Sequence, residues 1–171
     1  LALVINRSAG SYRRLALEPT VDDIHAALSR YGHQVQVEVC GRRDLPAVLS
    51  SLVARDDIDA VIVGGGDGTA QTAILSGLGQ DKPLGLLPLG TLNLLARDLG
   101  LPDDPQAAAL ALAGGRQAAI DLAEVNGLPF AIWASLGMHP WIVRRRDHLQ
   151  AEGLGKWRAF ALAALRAFRR Y

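Results

Sequence analysis

Residues 61–69 read VIVGGGDGT: a short, wholly apolar segment runs straight into three glycines, an acid, a fourth glycine and a hydroxyl. Branched apolar residues bounded by glycine predict a buried strand ending in a loop, and residues 69–78 have the composition of a helix. Strand, glycine loop and helix in that order make one βα unit. The same grammar extends on both sides. Residues 1–6 (LALVIN) are a buried-strand candidate. A helix is expected over 21–31, with Thr20 as its N-cap and Asp22 and Asp23 in the first turn. Residues 34–39 alternate as a half-buried strand, and Asp44 is placed to cap a helix over 45–54 that tolerates Pro46 in its first turn. Residues 60–63 and 84–87 are the third and fourth strands, and helices are expected over 92–99 and, after Pro105, over 106–113. Repeated strand–helix alternation implies a parallel sheet covered on both faces, an α/β, Rossmann-like domain over 1–115.

Beyond Gly115 the pattern changes. Residues 118–125 and 128–136 are strand-like runs joined by Asn126-Gly127, a strong short-range hairpin signal. Seven of the nine aromatic residues also lie past 115. Residues 116–171 are therefore expected to open a second, β-rich domain, incomplete at Tyr171. Leu1 begins inside an apolar run and Tyr171 ends inside a helical one, as a fragment of a longer protein would.

Half of the residues are apolar and a fifth charged, which excludes disorder. A net charge of +1 argues against a nucleic-acid binder. No apolar run approaches the ~20 residues of a membrane span, and no basic-then-apolar leader opens the chain. The single cysteine, Cys40, excludes an internal disulfide or a Cys-based metal cluster, so a cytoplasmic setting is expected. The four histidines have no metal-ligand spacing. Charge is uneven, however: eight of the eighteen basic side chains and two of the seventeen acidic ones lie beyond residue 140. From Gly155 to Tyr171, Trp157, Phe160, Ala161, Ala164, Leu165, Phe168 and Tyr171 share one arc of a helix, with Lys156, Arg158, Arg166, Arg169 and Arg170 opposite. Two readings are open: contact with an anionic membrane at its inner face, or an apolar face packed on a further part of the protein. Such a face also leaves a homodimer open.

The chemistry concentrates at the glycine loop. Glycine permits φ > 0 and lets an anion approach the peptide N–H groups with no Cβ in the way, and a helix N-terminus follows immediately. No Lys-Ser/Thr follows, so it is not a P-loop, and the third glycine of a dinucleotide fingerprint would fall at Thr69. A tight turn alone would account for the glycines. Asp67 among them argues against that, because a carboxylate beside bound phosphate is unfavourable unless it binds metal or handles a proton. A second loop of this style is PLGTLNLLARDLG over 88–100. It brings Gly90, Thr91 and Asn93 to the same sheet edge, the last two suited to phosphate or ribose oxygens. Thr91 is equally suited to cap the following helix. Asn6, Ser8 and Gly10 follow the first strand, completing one rim of three small polar loops.

Gly65-Gly-Asp-Gly-Thr69 with Pro88-Leu-Gly-Thr-Leu-Asn93 and Ala96-Arg97 resembles the catalytic domain of diacylglycerol kinases, a group taking in bacterial lipid kinases and sphingosine kinases and more distantly related to NAD kinases. Asn6 to Gly10, Ile120-Asp-Leu, Val125-Asn-Gly and Leu154-Gly-Lys-Trp157 fit the same pattern. The resemblance implies transfer of the γ-phosphoryl group of ATP to a lipid hydroxyl, with Mg²⁺. By position it implies nucleotide binding by Asn6, Ser8, Gly10, Gly65, Gly66, Asp67, Gly68, Thr69, Thr91 and Asn93. Asp67 would be catalytic, as base or as metal ligand through water, with the other metal ligands expected beyond residue 171. Arg7, Cys40 and Gln71 depart from the pattern, where proline, threonine and asparagine are usual. The rival expectations are an NAD kinase-like phosphotransferase and a nucleotide-binding module without catalysis. Acting alone, the 171 residues are expected to be inactive.

Overall fold

Four parallel strands form the centre of the larger compact unit, Leu1–Ile132. The computed structural model describes residues 1–10 and 17–170. The strands are β1 (Ala2–Asn6), β2 (Gln36–Cys40), β3 (Val61–Gly65) and β4 (Leu84–Pro88), in the order β2-β1-β3-β4. β1 and β3 are central, and all five residues of each are buried. Their side chains alternate between two cores, as the pleat requires. Ala2, Val4, Val61 and Val63 meet α2 (Leu45–Val53) and α3 (Asp67–Leu75) through Leu45, Leu49, Leu52, Ala73 and Ile74. Leu3, Ile5 and Ile62 meet α1 (Leu17–Ser29) and α5 (Pro105–Ala113) through Ile24, Leu28, Ala108 and Ala109 on the other face. Each such leucine or isoleucine contributes ~1.5–3 kcal/mol by leaving water. The expected α/β sheet with helices on both faces is present.

Local details differ from the sequence reading. α1 begins at Leu17, so Thr20 lies inside the helix and does not cap it. Asp44 occupies the N-cap of α2, but its backbone is already helical and its carboxylate makes no capping bond. Asp104 does cap: its Oδ1 accepts from the Ala107 N–H at 2.8 Å, with Pro105 beginning α5. β2 is an edge strand with four of its five residues exposed, not half-buried, because only β1 pairs with it.

The Asn126-Gly127 turn has positive φ at both residues, 53° and 76°, as a tight hairpin demands. Its strands, β5 (Ala123–Val125) and β6 (Leu128–Phe130), are shorter than expected. Gln71 of α3 donates from Nε2 to the Pro129 carbonyl at 2.7 Å, and Leu122, Ala131 and Ile132 pack on the α2–α3 core. The chain's compact units therefore divide between Ile132 and Trp133, whereas the composition shift lies near 115.

The second unit, Trp133–Tyr171, contains two helices, α6 (Met138–Ala151) and α7 (Lys156–Arg170). Their seam is narrow: Ile142 and Leu149 of α6 lie with Ala159, Ala163 and Ala167 of α7. Leu162 packs beside that seam, but Trp157, Phe160, Leu165 and Phe168 of α7 face solvent, Trp157 80% and Phe168 72% exposed. Tyr171, expected on that arc, lies outside the described residues. Among the described residues no helix is long and apolar enough to cross a membrane.

Candidate active site

Parallel strands deliver their carboxyl ends to one edge of the sheet, where open α/β folds bind ligands. The register aligns Asn6 with Cys40, Ile5 with Gly64, and Gly65 with Pro88. The loops after β1, β3 and β4 leave from that edge and are tied to one another.

Asn6, 6% exposed, makes the first tie. Its Nδ2 donates to Thr69 Oγ1 at 2.9 Å, while its Oδ1 accepts from the Ser8 N–H at 2.9 Å. The hydroxyl of Thr69 accepts there and keeps its own proton to donate. Ser8 reaches the loop after β2, its Oγ accepting from the Arg42 N–H at 3.4 Å. A Cβ on Gly10 would stand 2.8 Å from Thr91 Oγ1, so the first and last loops touch.

The glycine loop is built on close approach. None of Gly64, Gly65, Gly66, Gly68 and Gly90 has positive φ, contrary to the use of glycine expected from the sequence. Gly66 is extended, at φ −102° and ψ −170°. What these positions exclude is a side chain. A Cβ on Gly66 would meet the Cα of Gly90 at 3.0 Å, and one on Gly90 would overlap the Cα of Gly66 outright. A Cβ on Gly65 would overlap Thr69. At Gly68 a Cβ would meet nothing within 4 Å, so no protein neighbour calls for glycine there.

Asp67 is the first residue of α3 and is half-buried. Its Oδ1 accepts from the backbone N–H of Leu95 at 3.2 Å. Leu95 belongs to α4 (Leu94–Asp98), whose N-cap is Asn93, not Thr91. Asn93, 9% exposed, bonds Gly90 twice: Oδ1 accepts from its N–H at 2.8 Å, and Nδ2 donates to its carbonyl at 3.3 Å. Thr91 is exposed at the rim. Gly65, Asp67, Thr69, Asn93 and Leu95 together line a small crevice.

Cys40 is buried at the neighbouring strand end, and its thiol is held above its ordinary pKa by burial first, then by the Glu38 and Asp44 carboxylates, with Arg7 opposing. Among the described residues no three His, Cys, Asp or Glu side chains are grouped to hold a metal ion.

The structure thus gathers the sequence candidates at one edge and links them: Asn6 with Ser8 and Thr69, Gly10 with Thr91, and Gly66, Asp67 and Asn93 through Gly90 and Leu95. Two participants escaped the sequence reading. The Leu95 N–H is a backbone group with no side-chain signature, and Gln71 carries no sign in the sequence that it reaches the hairpin.

Residues 1–125 match the family model of the diacylglycerol kinase catalytic domain. A Mycobacterium tuberculosis protein named diacylglycerol kinase is 40% identical over 136 residues, covering 74% of this chain and 44% of the relative. A Cronobacter sakazakii protein named "probable lipid kinase YegS-like" is 37% identical over 130 residues, 71% of this chain and 44% of its own length. A crystal structure of a diacylglycerol kinase from Bacillus anthracis superposes with a TM-score of 0.66 at 25% identity, over 75% of this chain and 48% of that one. The chain therefore spans less than half the length of these relatives. The glycine loop, the Asp67–Leu95 tie and the four-stranded sheet beneath them accordingly sit in a chain that belongs to the diacylglycerol kinase catalytic-domain family.

Proposed function

We propose that the protein containing this chain transfers the γ-phosphoryl group of ATP to the hydroxyl of a lipid. The observation that carries this reading is the loop at the end of β3. Its backbone lies against that of Gly90, and it presents the first N–H groups of α3 beside the carboxylate of Asp67. The N–H groups of Asp67 and Gly68 begin the helix and have no acceptor within it. Gly68, where glycine serves no protein contact, leaves the approach to them open. That cradle fits a polyphosphate.

Mg²⁺ would accompany the nucleotide and neutralise charge on its phosphates. At this edge the described residues offer the metal one carboxylate, Asp67, and that is not a site by itself. Phosphoryl transfer needs position and charge stabilisation more than covalent chemistry from the protein. The N–H groups of Asp67 and Gly68 hold β- and γ-phosphate oxygens. The acceptor oxygen forms a bond to the γ-phosphorus as the bond to the ADP oxygen breaks, and the acceptor proton passes to the free oxygen of Asp67. The exposed aromatic face of α7, with Lys156, Arg158, Arg166 and Arg169 also exposed on that helix, would meet the anionic surface that holds such an acceptor.

The test uses the full-length protein, γ-labelled ATP and Mg²⁺, with vesicles of phosphatidylglycerol carrying diacylglycerol, against NAD in parallel. Label is expected in the organic phase. Label found only in the dinucleotide would transfer the assignment to an NAD kinase-like activity, and label in neither would leave a nucleotide-binding module.

A further inference from the structure

Asn93 suits phosphate or ribose by its chemistry, yet both polar ends of its buried amide are bonded to Gly90. Its backbone is left-handed, at φ 51° and ψ 44°, a region that asparagine and glycine enter far more readily than other residues. Together these features close the turn from Gly90 to Asn93 and set the direction in which α4 departs. Two residues later the Leu95 N–H meets Asp67 Oδ1 at 3.2 Å, across 28 positions of sequence. The turn cannot slide, because the backbone of Gly90 is in contact with that of Gly66, immediately before Asp67.

We infer that Asn93 is the positioning residue for Asp67, an inference that rests on the phosphoryl-transfer reading above. Its amide touches no reactant. Through Gly90 and Leu95 it commits one oxygen of Asp67 to the protein and leaves the other for the reaction. Without the Leu95 N–H, the Asp67 side chain is free to rotate about both of its torsions, and its second oxygen has no fixed direction.

The experiment compares Asn93→Gly, Asn93→Asp, Asp67→Asn and the Asn93→Gly/Asp67→Asn double variant in the full-length protein. Glycine keeps the left-handed backbone while deleting the amide, so loss of folding is not confused with loss of position. Asn93→Gly is expected to lower kcat on the order of 100-fold, the scale of an ångström's misplacement, with KM for ATP within about threefold of the parent. Asn93→Asp, which retains the acceptor for the Gly90 N–H, restores most of that loss. The double variant is no slower than Asp67→Asn alone, because the first effect acts through the second residue. In parallel, amide exchange at Leu95 is expected to quicken in Asn93→Gly. A rise in KM with kcat kept would make Asn93 a nucleotide contact, and losses that multiply in the double variant would show that it acts independently of Asp67. Either result overturns the inference. If the full-length protein phosphorylates no acceptor, the phosphoryl-transfer reading fails by itself. Leu95 exchange still decides the coupling: protection unchanged by Asn93→Gly refutes it.

Discussion

The two compact units pack by opposite rules. In Leu1–Ile132 the core is built from large apolar side chains, among them Leu3, Ile5, Ile24, Leu28 and Leu49, which are wholly buried, and glycine appears where backbones touch at the rim. In Trp133–Tyr171 the seam consists largely of alanines, while Trp157, Phe160, Leu165 and Phe168 face outward. Burial of large side chains drives folding, and contact between small ones sets distance. The first unit has both, with the close contact between Gly66 and Gly90 at its working edge. The second has a close helix pair and an apolar face left over.

The sharpest way to separate rim from core is Asp67→Asn. The amide oxygen can still accept from the Leu95 N–H, so the fold is kept, while the charge and the proton acceptor are lost. A fall in kcat of about 10²–10³-fold is expected, the range seen when a transition-state-stabilising group is removed, with Tm nearly unchanged. Near-parental turnover would remove Asp67 from the chemistry.

The next contrast sets the two units side by side. Leu49→Ala empties space between α2 and the sheet and should destabilise by ~2–5 kcal/mol. Phe168→Ala trims an exposed side chain and should stay within ~0.5 kcal/mol. Comparable losses in chemical denaturation would mean that the α7 face is covered in solution, and the contrast drawn here would collapse. The same face is expected to hold the protein on phosphatidylglycerol vesicles in co-sedimentation at low salt, with retention reduced by Trp157→Ser and by added salt. Equal retention on neutral vesicles would count against the charge contribution.

Much of this was legible in the sequence, because apolar runs bounded by Gly, Asp and Pro mark strands and helices whatever their partners. The Asn126-Gly127 hairpin and the convergence of three loops on one edge follow from local chemistry and topology alone. Helix faces were harder to read. Arranging α7 by apolar character finds the arc of Trp157 and Phe168 but not the second, smaller face of Ala159, Ala163 and Ala167 that meets α6. α6 escaped notice because Trp141, Ile142 and Val143 are consecutive, not spaced as on a helix face, and three arginines follow. Asn93 lies at the expected sheet edge, but both ends of its amide meet the backbone of Gly90. A sequence shows that an amide is present, not which peptide group it meets.

A smaller effect is expected at the rim backbone. Gly90→Ala must push the last loop away from Gly66, destabilising by about 1–3 kcal/mol as overpacking does. It should also abolish the rise in Tm with Mg-ATP, which in the parent protein corresponds to about 2.7 kcal/mol at a ligand concentration of 100 Kd. A Tm rise that survives would place the nucleotide elsewhere.

The least effect is expected on the exposed surface. The Arg55 side chain donates to Asp57 and holds its carboxyl at about 2. A carboxyl lowered in the folded state favours folding above the ordinary carboxylate range and loses that contribution as pH falls toward 2. Arg55→Gln should therefore flatten the acid limb of the stability curve slightly and leave neutral pH almost unchanged, since a solvated pair contributes little. A large change at neutral pH would show that the pair matters to the fold.

The contact between Gly66 and Gly90 also bears on how this chain can vary over generations. A methyl group on Gly64 would strike the side chain of Leu89, and a trimmed neighbour could make room for it. At Gly66 and Gly90 the obstacle is main chain, which no second substitution can shorten. Errors at Gly64 are open to compensation by one neighbouring side chain, whereas those at Gly66 or Gly90 require two loops to part. Lineages that keep the function should explore sequence space more freely around this pair than through it.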